Sequence, residues 1–171
     1  MEWLLGLIGI GLLVWAIAIY NLLVRDRARV LAAWSDIDVQ LKRRHDLIPK
    51  LIDAVRQYAA YEQATLTTVT ELRVEAERTQ DVSRLAATEG QIGSGLRKLI
   101  ALAEQYPDLK ANRSFLDLQQ QLSAVEDHIQ YARRYYNGAV RNLNTRIDSF
   151  PDTLIAGSFR FRPAAYFEME V

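Results

Sequence analysis

From Trp3 to Val24 the chain runs for 22 residues without a charged side chain, and Arg25-Asp26-Arg27-Ala28-Arg29 follows at once. As an α-helix that run would be about 33 Å long, enough to cross a hydrocarbon core of about 30 Å. The run is therefore read as a single-pass membrane anchor over residues 1–24. Glu2 precedes it, whereas Arg25, Arg27, Arg29 and then Lys42, Arg43 and Arg44 follow it. By the positive-inside rule, this places the N-terminus outside and the bulk of the chain in the cytoplasm. Trp3 and Tyr20 are about 26 Å apart on such a helix, a separation that seats both rings at the two membrane interfaces. Ala16-Ile17-Ala18 resembles a signal-peptidase site, but the start Met1-Glu2 has no positive charge and the apolar run outlasts a signal-peptide core. Retention of the segment is expected.

Charge and cysteine content narrow the function. The chain has 21 basic and 21 acidic side chains and no cysteine. A balanced charge provides no field to gather nucleic acid, and the absence of thiols excludes disulfides and thiolate-bound metals. The local excess of cations between Arg25 and Lys50 fits an anionic lipid surface beside the anchor better than a polynucleotide.

Beyond the anchor the apolar residues keep helical spacing, which predicts an all-α domain over residues 25–151. Val30, Trp34, Ile37 and Leu41 line one face. That stripe falters at Arg44 and His45, where a core residue was due, and resumes at Ile48 through Leu66, Val69 and Leu72, so the amphipathic helix is expected to extend toward Glu77. Pro49 lies inside the stretch, and an interior proline costs a helix about 3 kcal/mol. A kink is expected there, or a restart with Asp46 as N-cap. A second helix is predicted from about Asp81 to Gln105, stopped by Tyr106-Pro107-Asp108, with Gly90, Gly93 and Gly95 admitting a close neighbour. A third begins near Asn112 or Ser114 and carries an apolar stripe from Phe115 to Leu143, ending at Phe150-Pro151. The expected architecture is an N-terminal transmembrane helix continuing into an antiparallel bundle of three to four long helices. Residues 152–171, with Phe159, Phe161, Tyr166 and Phe167, read as an irregular aromatic tail that docks on something.

Four strings carry a family resemblance: YNLLV at Tyr20 to Val24, AWSDIDVQLKRRHDLIPKLIDAV at Ala33 to Val55, YPDLKAN at Tyr106 to Asn112, and YNGAVRNLNTRIDSFP at Tyr136 to Pro151. Together they resemble the LemA family over most of the chain. That resemblance implies a bacterial inner-membrane protein with one transmembrane helix, a soluble helical bundle and no established enzymatic activity. The chain departs from the family where a second Tyr-Asn is often found in the last helix, since here the pair is Leu143-Asn144.

The residues point to no catalytic constellation, cofactor or metal. Gly90, Gly93 and Gly95 lie in a helical stretch without the Lys-Ser or Lys-Thr of a phosphate loop. His45 and His128 have no second ligand at i, i+4. Two sets of residues remain as candidates. Arg25, Arg27, Arg29, Lys42, Arg43 and Arg44 form a patch for anionic lipid or an acidic partner, against the simpler reading of a solvated face with pairs such as Asp38 with Lys42. Asn137 and Asn144, seven apart, point the same way from the third predicted helix, either as buried amides that set register or, together with Tyr135 or Tyr136, as a polar groove for a peptide or small ligand. The favoured function is a membrane-tethered scaffold or interaction module without catalysis, with protein partners and homo-oligomerisation left open. A ligand-sensing protein or an undiscovered enzyme, built on a polar groove between helices, is the alternative.

Overall fold

The computed structural model describes residues 2–58 and 63–169. Six helices account for its regular structure, with no strand among the described residues: α1 (Glu2–Arg56), α2 (Gln63–Arg78), α3 (Val82–Ala103), α4 (Pro107–Lys110), α5 (Arg113–Asp148) and α6 (Asp152–Ser158). The chain divides into two compact units. Unit 1 comprises Met1–Ser35 with Tyr135–Ala165, and unit 2 comprises Asp36–Arg134 with Tyr166–Val171. These units cut across the divisions read at residues 24 and 151, because both α1 and α5 contribute to each unit.

In unit 1, α1 opens with the apolar run, whose side chains from Trp3 to Val14 are exposed. By length and composition this helix can cross a membrane. Ile19, Leu23, Val30 and Ala33 are buried, so the apolar stripe that packs against protein begins before the run ends. Residues 152–158, expected to be irregular, form the short helix α6. It ends where Arg160 N–H donates to Gly157 O (3.2 Å) and Phe161 N–H donates to Ala156 O (2.9 Å), with Arg160 at φ 56°. These two bonds and that left-handed residue make a Schellman stop, which turns the chain into the extended segment beyond.

In unit 2, α1 continues through Pro49 without a break, so the restart at Asp46 does not occur. Pro49 removes the N–H that His45 O would accept, but Leu47, Ile48, Leu51, Ile52 and Val55 are all buried around it. Burial of about 1.5–3 kcal/mol per large aliphatic side chain outweighs the lost bond. α3 is capped as its sequence suggests, with Arg84 N–H donating to the Asp81 carboxylate at 2.8 Å. α2 folds back on α3 through contacts near the connection, such as Arg84 with Glu75 (2.7 Å), and further along it. A Cβ placed on Gly95 would lie 2.6 Å from Val69 Cγ2, which confirms that this glycine permits a close approach of α2. Asn112 caps α5, its Oδ1 accepting from Ser114 N–H (2.9 Å) and Phe115 N–H (3.3 Å). Phe115, Leu122, Val125 and Ile129 then bury one face of that helix.

Candidate functional site: a closed ionic network and a strapped helix

Arg44 occupies the core position that its place in the α1 stripe called for, and it is fully buried. A guanidinium without water needs charged partners, since an unpaired buried charge costs several kcal/mol; the terminal nitrogens of Arg44 find them, while its Nε is buried without a hydrogen bond. Its Nη1 donates to Glu126 Oε1 on α5 at 2.6 Å, and its Nη2 donates to the Glu89 backbone carbonyl at 3.0 Å and to the Glu89 carboxylate on α3. The second oxygen of Glu89 pairs with His45 Nε2 at 2.7 Å. With Glu89 ionised, that nitrogen carries the hydrogen and donates it. His45 Nδ1 stands 3.9 Å from Glu77 on α2, which also pairs with Arg73 at 3.0 Å. One network therefore ties α1, α3 and α5 together inside unit 2.

Burial is the largest influence on Arg44 and by itself would lower its pKa, but the charges of Glu89 and Glu126 and the hydrogen bonds to both raise it above the ordinary value. For Glu89 burial pulls upward, yet the hydrogen bond from His45 and the charge of Arg44 overcome it and hold the carboxyl below its ordinary 4.5. A depressed carboxylate means that the unfolded chain binds the proton more readily, so stability rises with pH through the acid range. The contribution of Glu89 is present above about pH 4.5 and is lost as pH falls through its folded value. Acid unfolding followed by circular dichroism is therefore expected to lose its steepest limb below pH 4.5 in an Arg44→Met, Glu89→Leu variant; an unchanged acid limb would place the titration elsewhere.

This placement corrects one sequence expectation. Arg44 is withdrawn from the lipid or partner patch, because the stripe position turns it inward to two carboxylates. Arg25, Arg27 and Arg29 are exposed on unit 1, while Lys42 and Arg43 are exposed on unit 2. Lys42 makes the intrahelical pair with Asp38 at 2.6 Å, and Arg29 lies 3.4 Å from Asp26. Sequence reasoning did not single out Glu89. The signal was its spacing from Ile92 and Leu96 on α3, which sets a carboxylate in an apolar face.

Helix α5 carries a strap. In unit 1, Asn144 donates through Nδ2 to Ala164 O and accepts at Oδ1 from Ala164 N–H, both at 2.9 Å. Tyr136 donates its hydroxyl to Ala165 O at 2.8 Å, and its ring centre lies 5.4 Å from that of Trp34, the two planes tilted by 59°. Burial raises the Tyr136 phenol above its ordinary 10.0. In unit 2, Arg133 donates to Met169 O at 3.1 Å. Asn137 is half-buried on the same helix. Asn144 thus holds the backbone of the tail itself. Asn144→Leu would leave both Ala164 groups without these partners and is expected to cost about 1–3 kcal/mol. Limited proteolysis should then release residues beyond Gly157 faster; unaltered cleavage would show that the strap does not depend on Asn144.

The Glu89 oxygens and the terminal nitrogens of Arg44 are engaged in the interior, and among the described residues no group of three His, Cys, Asp or Glu side chains can hold a metal ion. His128 is exposed on α5.

Helices alone among the described residues, one candidate membrane span among them, a buried Arg-Glu-His network and a tail hydrogen-bonded to α5 define the class of protein. Residues 33–171 match the model of the LemA family, and the chain belongs to that family. It is 31% identical over 150 residues to the protein LemA of Metamycoplasma hominis, covering 86% of this chain and 68% of that protein. It is also 25% identical over 175 residues to the magnetosome protein MamQ 2 of Paramagnetospirillum magneticum, and 23% identical over 174 residues to the magnetosome protein MamQ of Magnetospirillum gryphiswaldense. The chain spans 64% of the length of each of these two relatives.

Proposed function

We propose that this protein is a membrane-anchored helical scaffold, without catalysis of its own, whose folded part lies at the cytoplasmic face of a bacterial inner membrane. The observation that carries the reading is α1 itself, a single helix with bare apolar side chains at its start and a packed, ion-paired core face at its end. Bare apolar side chains over that length are costly in water and stable in lipid. The cations at Arg25, Arg27 and Arg29 support the cytoplasmic orientation. A buried, mutually neutralised network supports a structural role, because a catalytic group must reach its substrate. Val39, Leu116 and Tyr131 remain exposed on unit 2 and offer apolar contact to protein partners. The folded part is read as an antiparallel bundle, and its cationic residues Lys42 and Arg43 as an additional contact for acidic partners.

The ligand-sensing alternative needs the polar side of α5 near Tyr136, Asn137 and Asn144, and the tail backbone already engages Tyr136 and Asn144. The scaffold reading is tested by protease treatment of spheroplasts carrying a C-terminal tag, with in-cell crosslinking. A tag protected until the membrane is opened, together with discrete crosslinked protein partners, supports it; digestion from outside overturns the orientation. Loss of the protein from the membrane in alkaline carbonate overturns the anchor.

A further inference from the structure

The apolar run is too short to cross a bilayer on its bare portion alone. Trp3 to Ala18 gives about 24 Å of helix against a hydrocarbon core of about 30 Å. The missing length must come from Ile19 to Leu22. Ile19 and Leu23, however, are 5% and 0% exposed, already covered within the chain. Tyr20 lies 4.8 Å from Phe159 and 5.9 Å from Phe161, ring centre to ring centre. Whatever depth Tyr20 takes in the membrane, those two rings share it.

A second tie fixes the other end of the same segment. Arg146 pairs with Asp26 at 2.6 Å and with Asp152 at 3.0 Å, which brings the first residue of α6 to the level of residue 26. Asp152 and Phe159, at the two ends of α6, are therefore tied to α1 at the levels of Asp26 and Tyr20, a band of about 9 Å along that helix, and Arg160 and Phe161 also border Arg27, Val30 and Leu31. Within that band Phe150, Leu154 and Phe159 are 81%, 57% and 60% exposed. Three large apolar side chains facing water beside the end of a membrane span are anomalous for a soluble surface, and natural for one that dips about 5–10 Å into the boundary of headgroups and acyl chains.

Charge points the same way. Around this band of unit 1 the exposed arginines are Arg25, Arg27, Arg29, Arg141, Arg160 and Arg162, against one exposed carboxylate, Asp148. Asp26 and Asp152, which would repel anionic headgroups, share Arg146, and Asp26 also faces Arg29 at 3.4 Å.

We propose that α6 with its flanking residues Phe150 and Phe159 is a second membrane contact, an interfacial foot that sits in the headgroup zone of an anionic bilayer beside the exit of α1. The foot rests on the membrane-anchored reading above. It makes the anchor a two-point attachment, in which one helix crosses the bilayer and the return of α5 touches its surface.

The chain has no cysteine, so single-cysteine variants report position cleanly. Full-length protein carrying Phe150→Cys, Leu154→Cys or Phe159→Cys, each labelled with an environment-sensitive fluorophore, is reconstituted in vesicles of phosphatidylethanolamine and phosphatidylglycerol. Leu12→Cys and the exposed unit 2 residue Tyr131→Cys serve as references. The foot positions are expected to show blue-shifted emission, quenched more strongly by lipids with a nitroxide near the headgroup than by lipids with one deep in the chain. Leu12→Cys should show the reverse depth preference, and Tyr131→Cys little quenching. Water-like, unquenched emission at all three foot positions with Leu12→Cys still buried overturns the foot and leaves the anchor standing. Unquenched emission at Leu12→Cys as well overturns both.

Discussion

Glu89→Ala is expected to lower the stability of unit 2 by about 3–5 kcal/mol, because it leaves the fully buried Arg44 with only Glu126 and the backbone carbonyl of residue 89 as partners and removes the partner of His45 Nε2. Arg44→Ala should cost a similar amount by leaving the buried Glu89 with only His45 as a side-chain partner. Removing both charges with apolar residues of similar volume, Arg44→Met with Glu89→Leu, should cost far less than the sum of the two single losses, since no charge then stays buried alone. Urea unfolding of the full chain in detergent micelles, followed by far-ultraviolet circular dichroism, measures all three. A loss below about 1 kcal/mol in Glu89→Ala would mean that water reaches the network, and the ionic lock would fail as an account of how α1, α3 and α5 are joined.

Gly95→Val should be the next most damaging change. Its first carbon alone would sit 2.6 Å from Val69 Cγ2, and Val69 is buried with a stiff, branched side chain that cannot swing away. Forcing α2 off α3 is expected to cost about 3 kcal/mol. Val69→Ala removes the obstructing methyl and should recover most of that loss when the two are combined, although Val69→Ala alone is destabilising. Thermal unfolding of the four proteins checks the coupling; additive losses would mean that α2 does not need Gly95 to approach.

Much of the helical order was legible because its signals are local. Asp81 starts α3 and Asn112 caps α5 by hydrogen bonds within three residues, and the apolar spacing along α5 matches its buried face. The close approach at Gly95 was legible for the same reason, as a run of small residues in one helical stretch. Pro49 misled in part. Its local cost is real, but the buried aliphatic residues on both sides outweigh it, and only tertiary packing supplies them. The tail was read as irregular, and α6 escaped notice because its seven residues give too short a pattern to show a period.

By itself the sequence determined the apolar run, the cationic flank, the helical class and the family, since each is written in neighbouring residues or in their spacing. Tertiary structure alone decided that Arg44 turns inward, that Asn144 and Tyr136 strap down residues 164–165, and that Phe159 and Phe161 meet Tyr20. Each of those depends on a partner far away in the chain: Glu89 lies 45 residues from Arg44, and Asp26 lies 120 from Arg146. A charge or an amide carries no local mark of the partner that will satisfy it, and the energy of the pair exists only once the fold has excluded water from between them.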